Sequence, residues 1–278
     1  MNKNILPLSP QFFSYLLPFL FFVLFTGCEK EAVPENMDSS LDLQSRANNP
    51  ADSKTSTFYG PAEPFNGGVV RTMVTMTRDG IPVEIGVRIS EKVLEDLPLT
   101  HEIISLDLPN KMEGLAFDHV DLNWNPGGHE PFPLYEEEHF DVHFYMVSRD
   151  YKMDITDPEK GVDYPDEVYW PANYAPPPPF VPAFAQLVPN MGVHWTRLDE
   201  PFPFTHTFIY GSYDNSFIFM EPMITVDYLV NHADGTDFAI AQPDEFERSG
   251  YYPTTYKMYY DARHKDYVIS MGDMVWYD

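Results

Sequence analysis

The sequence predicts an α+β protein, mainly antiparallel β, barrel- or sandwich-like, with a few short helices. Three observations predict it. Segments such as VVRTMVTMT (69–77), PVEIGVRI (82–89) and EHFDVHFYMV (138–147) alternate apolar and polar residues, the period of a half-buried strand. Turn signals, Asp79-Gly80 and Asn125-Pro126-Gly127-Gly128, fall between such segments. Aromatics make up 15% of the chain and there are 27 prolines, which suits packed short strands better than a helix-wound parallel sheet.

The chain begins with an apolar run at 12–25, FFSYLLPFLFFVLF. It is short for a membrane-spanning helix, contains Pro18, and has the pattern of a signal peptide. It ends at Leu24-Phe25-Thr26-Gly27-Cys28, which resembles the lipobox of bacterial lipoproteins. Phe25 stands where a smaller aliphatic residue is usual. Cys28 is the only cysteine, so no internal disulfide can form. The expectation is a lipoprotein signal peptide over 1–27 and a lipid on Cys28. The lipid would anchor the protein to the outer membrane, on its periplasmic or cell-surface side. Residues 28–58 are polar and without hydrophobic period, hence a disordered tether. Residues 59–278 are expected to form a single β-rich domain.

Within that domain, 69–77 and 82–89 pair through the Asp79-Gly80 turn. Ser90 is placed to cap a short helix over 91–97, and EIISLDL (102–108) reads as a strand. Residues 119–124 and 138–147 are strands around the Asn125–Gly128 turn. The acidic stretch 151–169 is loop with short helical turns. PANYAPPPPFVP (171–182) favours polyproline II and reads as a strap whose aromatics, Tyr169, Trp170, Tyr174 and Phe180, lie on a surface. Short extended pieces follow at 191–196, 207–210 and 216–220. Residues 221–232 are ambiguous, with a helix opening at Pro222 as one reading. Segments 251–260 and 267–277 form antiparallel strands around 261–266.

The formal charge is −26. No cluster of Lys and Arg exists to bind phosphates, so nucleic acid is excluded as a partner, and cations are the natural counter-partners. There is no phosphate-binding glycine loop, no Gly-x-Ser-x-Gly elbow and no His-Glu-x-x-His helix. Asp121, Asn123 and Asn125 imitate the start of a calcium loop, but Pro126 replaces its glycine and Phe132 its bidentate glutamate.

Chemistry concentrates in FDHVDLNWNPGGHEPFPLYEEEHFDVHFYM (117–146), which holds four of the nine histidines. On a strand, His139, Asp141, His143 and Tyr145 share one face while Phe140, Val142 and Phe144 share the other. Each step of two residues covers roughly 6–7 Å, so His139 and His143 reach one ion only by leaning inward. The glycines before His129 let its imidazole swing toward that strand. His194 in MGVHW and Glu221 in FMEP are further candidates. Three imidazoles and a carboxylate suit a divalent metal, zinc, iron or manganese. The candidate ligands are therefore His129, His139, His143, His194 and Glu221, with His119 and Asp141 in a supporting role. Tyr135, Tyr145 and Trp124 read as packing residues.

Several phrases together, GVVRTMVTMTRDGIPVEIGVRIS (68–90), DHVDLNWNPGGHEP (118–131), EHFDVHFYMV (138–147), VPNMGVHW (188–195), IYGSYDNSFIFMEPMIT (209–225) and SGYYPTTYKMYYD (249–261), resemble the TTHB210-like family. This is a bacterial domain family of unknown function, typified by a thermophile protein under extracytoplasmic sigma-factor control. The resemblance implies a β-rich secreted domain, compatible with a homo-oligomer, and includes His119, His129, His139, His143, His194 and Glu221. It supplies no reaction.

Three functions stay open. One is an extracytoplasmic protein binding a metal or a small polar ligand; if it is an enzyme, a metal-dependent hydrolase or oxygenase is the natural class. Another is a non-catalytic surface or stress-response protein whose histidines are structural. The last is an interaction module using the 171–182 strap.

Overall fold

Alternation along the chain becomes two open antiparallel sheets and one small strand pair. The computed structural model describes residues 55–110 and 112–278. The expected signal peptide, Cys28 and nearly all of the expected tether lie outside the described residues.

From the N-terminal side, β1 (Thr55–Tyr59), β2 (Glu63–Phe65), β3 (Gly68–Thr77) and β4 (Pro82–Ser90) lead to a 3-10 turn at Glu91–Leu94. Next come β5 (Glu102–Asp107), β6 (His119–Asn125) and β7 (His139–Tyr145), then α1 (Arg149–Met153), α2 (Pro158–Gly161) and a second 3-10 turn at Glu167–Tyr169. They are followed by β8 (Tyr174–Ala175), α3 (Ala183–Gln186), β9 (Leu187–Val188), β10 (Gly192–Arg197), β11 (His206–Tyr213) and β12 (Ser216–Thr225). The last elements are α4 (Val226–His232), β13 (Phe238–Ala239), β14 (Gly250–Tyr252), β15 (Thr255–Asp261), β16 (Asp266–Gly272) and β17 (Val275–Tyr277).

The first sheet runs β1-β3-β4-β16-β15-β13, with β2 beside β3; the second runs β5-β6-β7-β12-β11-β10-β8, with β9 beside β10. The sheets pack as a sandwich. Val70, Val74, Ile85, Val87 and Ile89 of the first meet Val120, Leu122, Trp124, Phe140, Val142 and Phe144 of the second in one core. These are the alternate residues of each strand, as a two-residue period requires. A smaller core covers the outer face of the second sheet and contains Tyr135, Phe204, Ile209, Phe219 and Met223.

Several local expectations change. The tether expected over 28–58 overlaps β1, which pairs residues 55–59 with β3. The helix expected over 91–97 is only the 3-10 turn Glu91–Leu94, because Ser90 does not cap it. The Ser90 hydroxyl accepts instead from the Val69 amide across the hairpin. The 221–232 stretch divides: β12 runs on through Pro222 to Thr225, and the Thr225 hydroxyl caps α4 by accepting from Tyr228 N. The strap is held by Trp170 against Trp195 and by the Tyr174 hydroxyl donating to the Phe208 carbonyl, whereas Phe180 is exposed.

Candidate metal centre

All seven residues of β7 are buried. Phe140, Val142 and Phe144 face the shared core, so His139, Asp141, His143 and Tyr145 face outward under the second, smaller core. β6 lies antiparallel to β7 and sets His119, Asp121, Asn123 and Asn125 opposite Tyr145, His143, Asp141 and His139. The sequence signal that imitated a calcium loop is therefore the polar side of a strand. On the other flank, β12 pairs Met220 with Phe144 and Met223 with Asp141, which brings Glu221 level with His143.

His129 joins from the turn before β7. Gly128 has φ +63°, and a Cβ there would stand 2.0 Å from the Tyr135 carbonyl oxygen, so only glycine fits. The next amide, His129 N, donates to that same carbonyl at 3.0 Å. The position of the imidazole thus follows from a backbone requirement one residue earlier.

The candidate residues form two groups rather than one. The first is His129, His139 and Asp141; the second is His143, His194 and Glu221. The physical reason is strand geometry: His139 and His143 are two steps apart, roughly 13 Å between their Cα atoms. Asp141, expected in a supporting role, stands between them and faces two imidazoles directly. His119 belongs to neither group. Its Nδ1 is 3.0 Å from Asp118 Oδ1 and its ring stacks on Tyr145.

In the first group, Nδ1 of His129 donates to the Glu130 carbonyl and Nδ1 of His139 donates to the Glu137 carbonyl, each at 2.6 Å. Either ring, when neutral, presents the lone pair of Nε2. Those nitrogens lie 3.3 Å from Asp141 Oδ2 and 3.0 Å from Asp141 Oδ1. Asn125 donates to Oδ2 at 2.6 Å and steadies the carboxylate. Burial works against the ionised form of Asp141, but His139 and His129 overcome it and hold the group far below the usual carboxylate range. Burial also opposes a charge on His129, and Asp141 outweighs that effect and raises it.

In the second group, His143 Nε2 is 3.5 Å from His194 Nε2 and 3.5 Å from Glu221 Oε1. His194 Nε2 is 3.7 Å from Glu221 Oε2. Burial lowers His143 to about 4. Burial, then the neighbouring His143, lowers His194 to about 3. Burial and the charge of Asp141 push Glu221 well above the usual carboxylate range. Phe219 packs edge-on against His143 and also contacts His194.

Polar atoms on this face are left over. His119 Nε2, Asp121 Oδ1, Asn123 Oδ1, His139 Nε2, Asp141 Oδ1, His143 Nδ1, Tyr145 Oη and Glu221 Oε2 are buried without a hydrogen-bond partner. Native structures leave few such atoms, so a cluster of them marks a place for water or an ion. Each group also has one imidazole reaching outward, His129 with 34% and His194 with 23% of its side chain exposed.

Residues 77–124 match the TTHB210-like family. Its description is hypothetical protein TTHB210. This is the domain family of unknown function that the sequence motifs resemble, and the matched stretch runs from the last residue of β3 into β6. It contains His119 and Asp121 but none of the six residues of the two groups. No curated protein and no solved structure matches the chain.

Sequence reasoning overlooked Asn125 and Tyr135 as parts of the site, and one signal could have found the cover above them. Glu-Pro-Phe-Pro occurs twice, at 130–133 and 200–203. The residues after each copy meet over the first group: Phe204 contacts Tyr135 at 5.1 Å and His139 at 5.3 Å between ring centroids.

Proposed function

We propose that this is an extracytoplasmic protein that binds a divalent transition-metal ion, zinc, iron or manganese, through His129, His139 and Asp141. One observation carries the reading: two imidazoles, each fixed by a backbone carbonyl at Nδ1, aim Nε2 at one buried, ionised carboxylate. Lone pairs facing lone pairs repel unless a proton or a cation lies between them. A metal-ligating histidine typically donates its other nitrogen to a carbonyl or carboxylate, which is the arrangement of both rings. Two histidines and one carboxylate suit zinc and non-haem iron, and leave coordination positions open for water or substrate. If the protein is an enzyme, hydrolase or oxygenase chemistry follows from such an open position.

Metal analysis of protein purified without an affinity tag tests this. The expected result is stoichiometric metal, with the equivalent held by this group lost in His129→Ala and in Asp141→Asn. Metal-free protein whose melting is unchanged by zinc or by a chelator would sink the proposal and favour a hydrogen-bonded imidazolium network. Attachment to the outer membrane rests on the lipobox-like Leu24–Cys28 segment alone. Labelled fatty acid should enter the wild-type chain and not Cys28→Ser; equal labelling of both would remove the anchor from this reading.

A further inference from the structure

We propose that His143, His194 and Glu221 hold a second divalent ion beside the first, making a two-ion centre that takes a small oxyanion. The inference rests on the reading of the Asp141 group as a metal site and extends it.

The geometry of the second group comes first. His143 Nε2 and His194 Nε2 are 3.5 Å apart, and they lie 3.5 and 3.7 Å from different oxygens of Glu221, Oε1 and Oε2, so the four atoms gather around one small space. An ion with tetrahedral bonds of about 2.1 Å keeps its ligand atoms about 3.4 Å apart, so little movement is needed to admit one. Glu221 is 1% exposed, and its Oε2 accepts no hydrogen bond. Among the described residues no Lys or Arg pairs with it; the basic side chains it meets are the imidazoles of His143 and His194. A carboxylate so buried is costly unless a cation or a proton accompanies it.

The two groups are neighbours by construction. Asp141 and His143 are one strand step apart on the same face of β7, roughly 6–7 Å. Ions that share a single oxygen lie about 3.5–4 Å apart. A ligand with two oxygens on one central atom suits the wider strand spacing.

Charge then selects the ligand. Two divalent ions outweigh Asp141 and Glu221 by about two positive charges, and bound ions dominate the local field. Lys152 of α1 is already paired with Asp121. A protein of formal charge −26 would thus carry a local positive centre. Tyr135 adds a donor. Its ring is 5.8 Å from His129, and its buried hydroxyl has no acceptor. An oxyanion supplies that acceptor.

The test uses the full mature chain, stripped with chelator and titrated with zinc by calorimetry and elemental analysis. Wild type should take two equivalents. His194→Ala and the isosteric Glu221→Gln should each take one, as should His129→Ala, with urea midpoints of the metal-free proteins showing that each variant folds. Inorganic phosphate should then bind the zinc-loaded wild type, and Tyr135→Phe should weaken it about tenfold while leaving two zinc ions bound. One equivalent in wild type, unchanged by Glu221→Gln but lost in His129→Ala, overturns the second site and leaves the first standing. No zinc at all ends both readings. Two zinc ions with no phosphate binding overturns the oxyanion.

Discussion

Each sheet buries a charged cluster, and the two are resolved differently. In the first sheet Arg88, 5% exposed, donates from Nη2 to Asp261 at 2.6 Å and from Nε to Asp266 at 2.9 Å. Asp261 also accepts from the Arg263 and His264 amides in the β15–β16 turn. No atom of Arg88, Asp261 or Asp266 is buried without a partner. In the second sheet the ionisable neighbours of Asp141 and Glu221 are imidazoles, Asn125 adds one amide to Asp141, and Asp141 Oδ1 and Glu221 Oε2 have no hydrogen-bond partner. The first cluster satisfies its buried polar atoms within the described residues. The second leaves buried carboxylate oxygens without a hydrogen-bond partner, which is why it, and not the first, is the candidate site.

Ion loading is the largest expected way to break this contrast. Zinc at a thousand times its dissociation constant should stabilise the protein by about 4 kcal/mol per site, read as a rise in urea midpoint that chelator reverses. Asp141→Ala should abolish the share of that rise that belongs to the group of His129, His139 and Asp141. An equal response in wild type and variant would place the second sheet on the same footing as the first.

Arg88→Met should cost about 3 kcal/mol by stranding two aspartates, and that loss should be the same with or without zinc. A zinc-dependent loss would tie the two clusters together. Gly211→Ala should cost about 1–3 kcal/mol through overpacking, because a Cβ there lies 2.0 Å from the Phe219 ring. Phe219 contacts His143 and His194, so weaker zinc binding should be confined to the Glu221 group; equal weakening at both groups would count against their separation.

The smallest effect is a pH slope outside both clusters. Burial pushes Glu247 up to about 7 from 4.5. The folded state therefore holds this proton more tightly than the unfolded state, so the contribution of Glu247 to stability is fully present below about pH 4.5 and is lost as pH rises through about 7. Glu247→Gln should flatten that part of the melting-temperature profile in the presence of chelator. An unchanged slope would assign the pH dependence to the histidine groups instead.

Much of this was legible in the residues. Alternation placed β3, β4, β6 and β7 almost to the residue, and the polar and apolar sides of HFDVHFY are as the two-residue period requires. The strand step of roughly 6–7 Å also argued that His139 and His143 could not easily share an ion. The division of the candidate residues into two groups was hidden because it depends on cross-strand register: Glu221 comes level with His143 only through the β7–β12 pairing. Pro222 obscured that strand, since proline usually signals a boundary; here its missing amide is tolerated inside β12. Asp141 looked secondary because nothing in the sequence reveals that both neighbouring imidazoles spend Nδ1 on backbone carbonyls.

The alternation along β7 also has a consequence for folding fidelity. A slip of one residue against β6 or β12 would send His139, Asp141 and His143 into the sandwich interior and turn Phe140, Val142 and Phe144 out. Such a misfolded chain would lose its candidate site and its core in the same event. Correct pairing is enforced by oil while the polar residues come along as passengers, so a chain that has reached its native register has already aimed its imidazoles at Asp141 and Glu221.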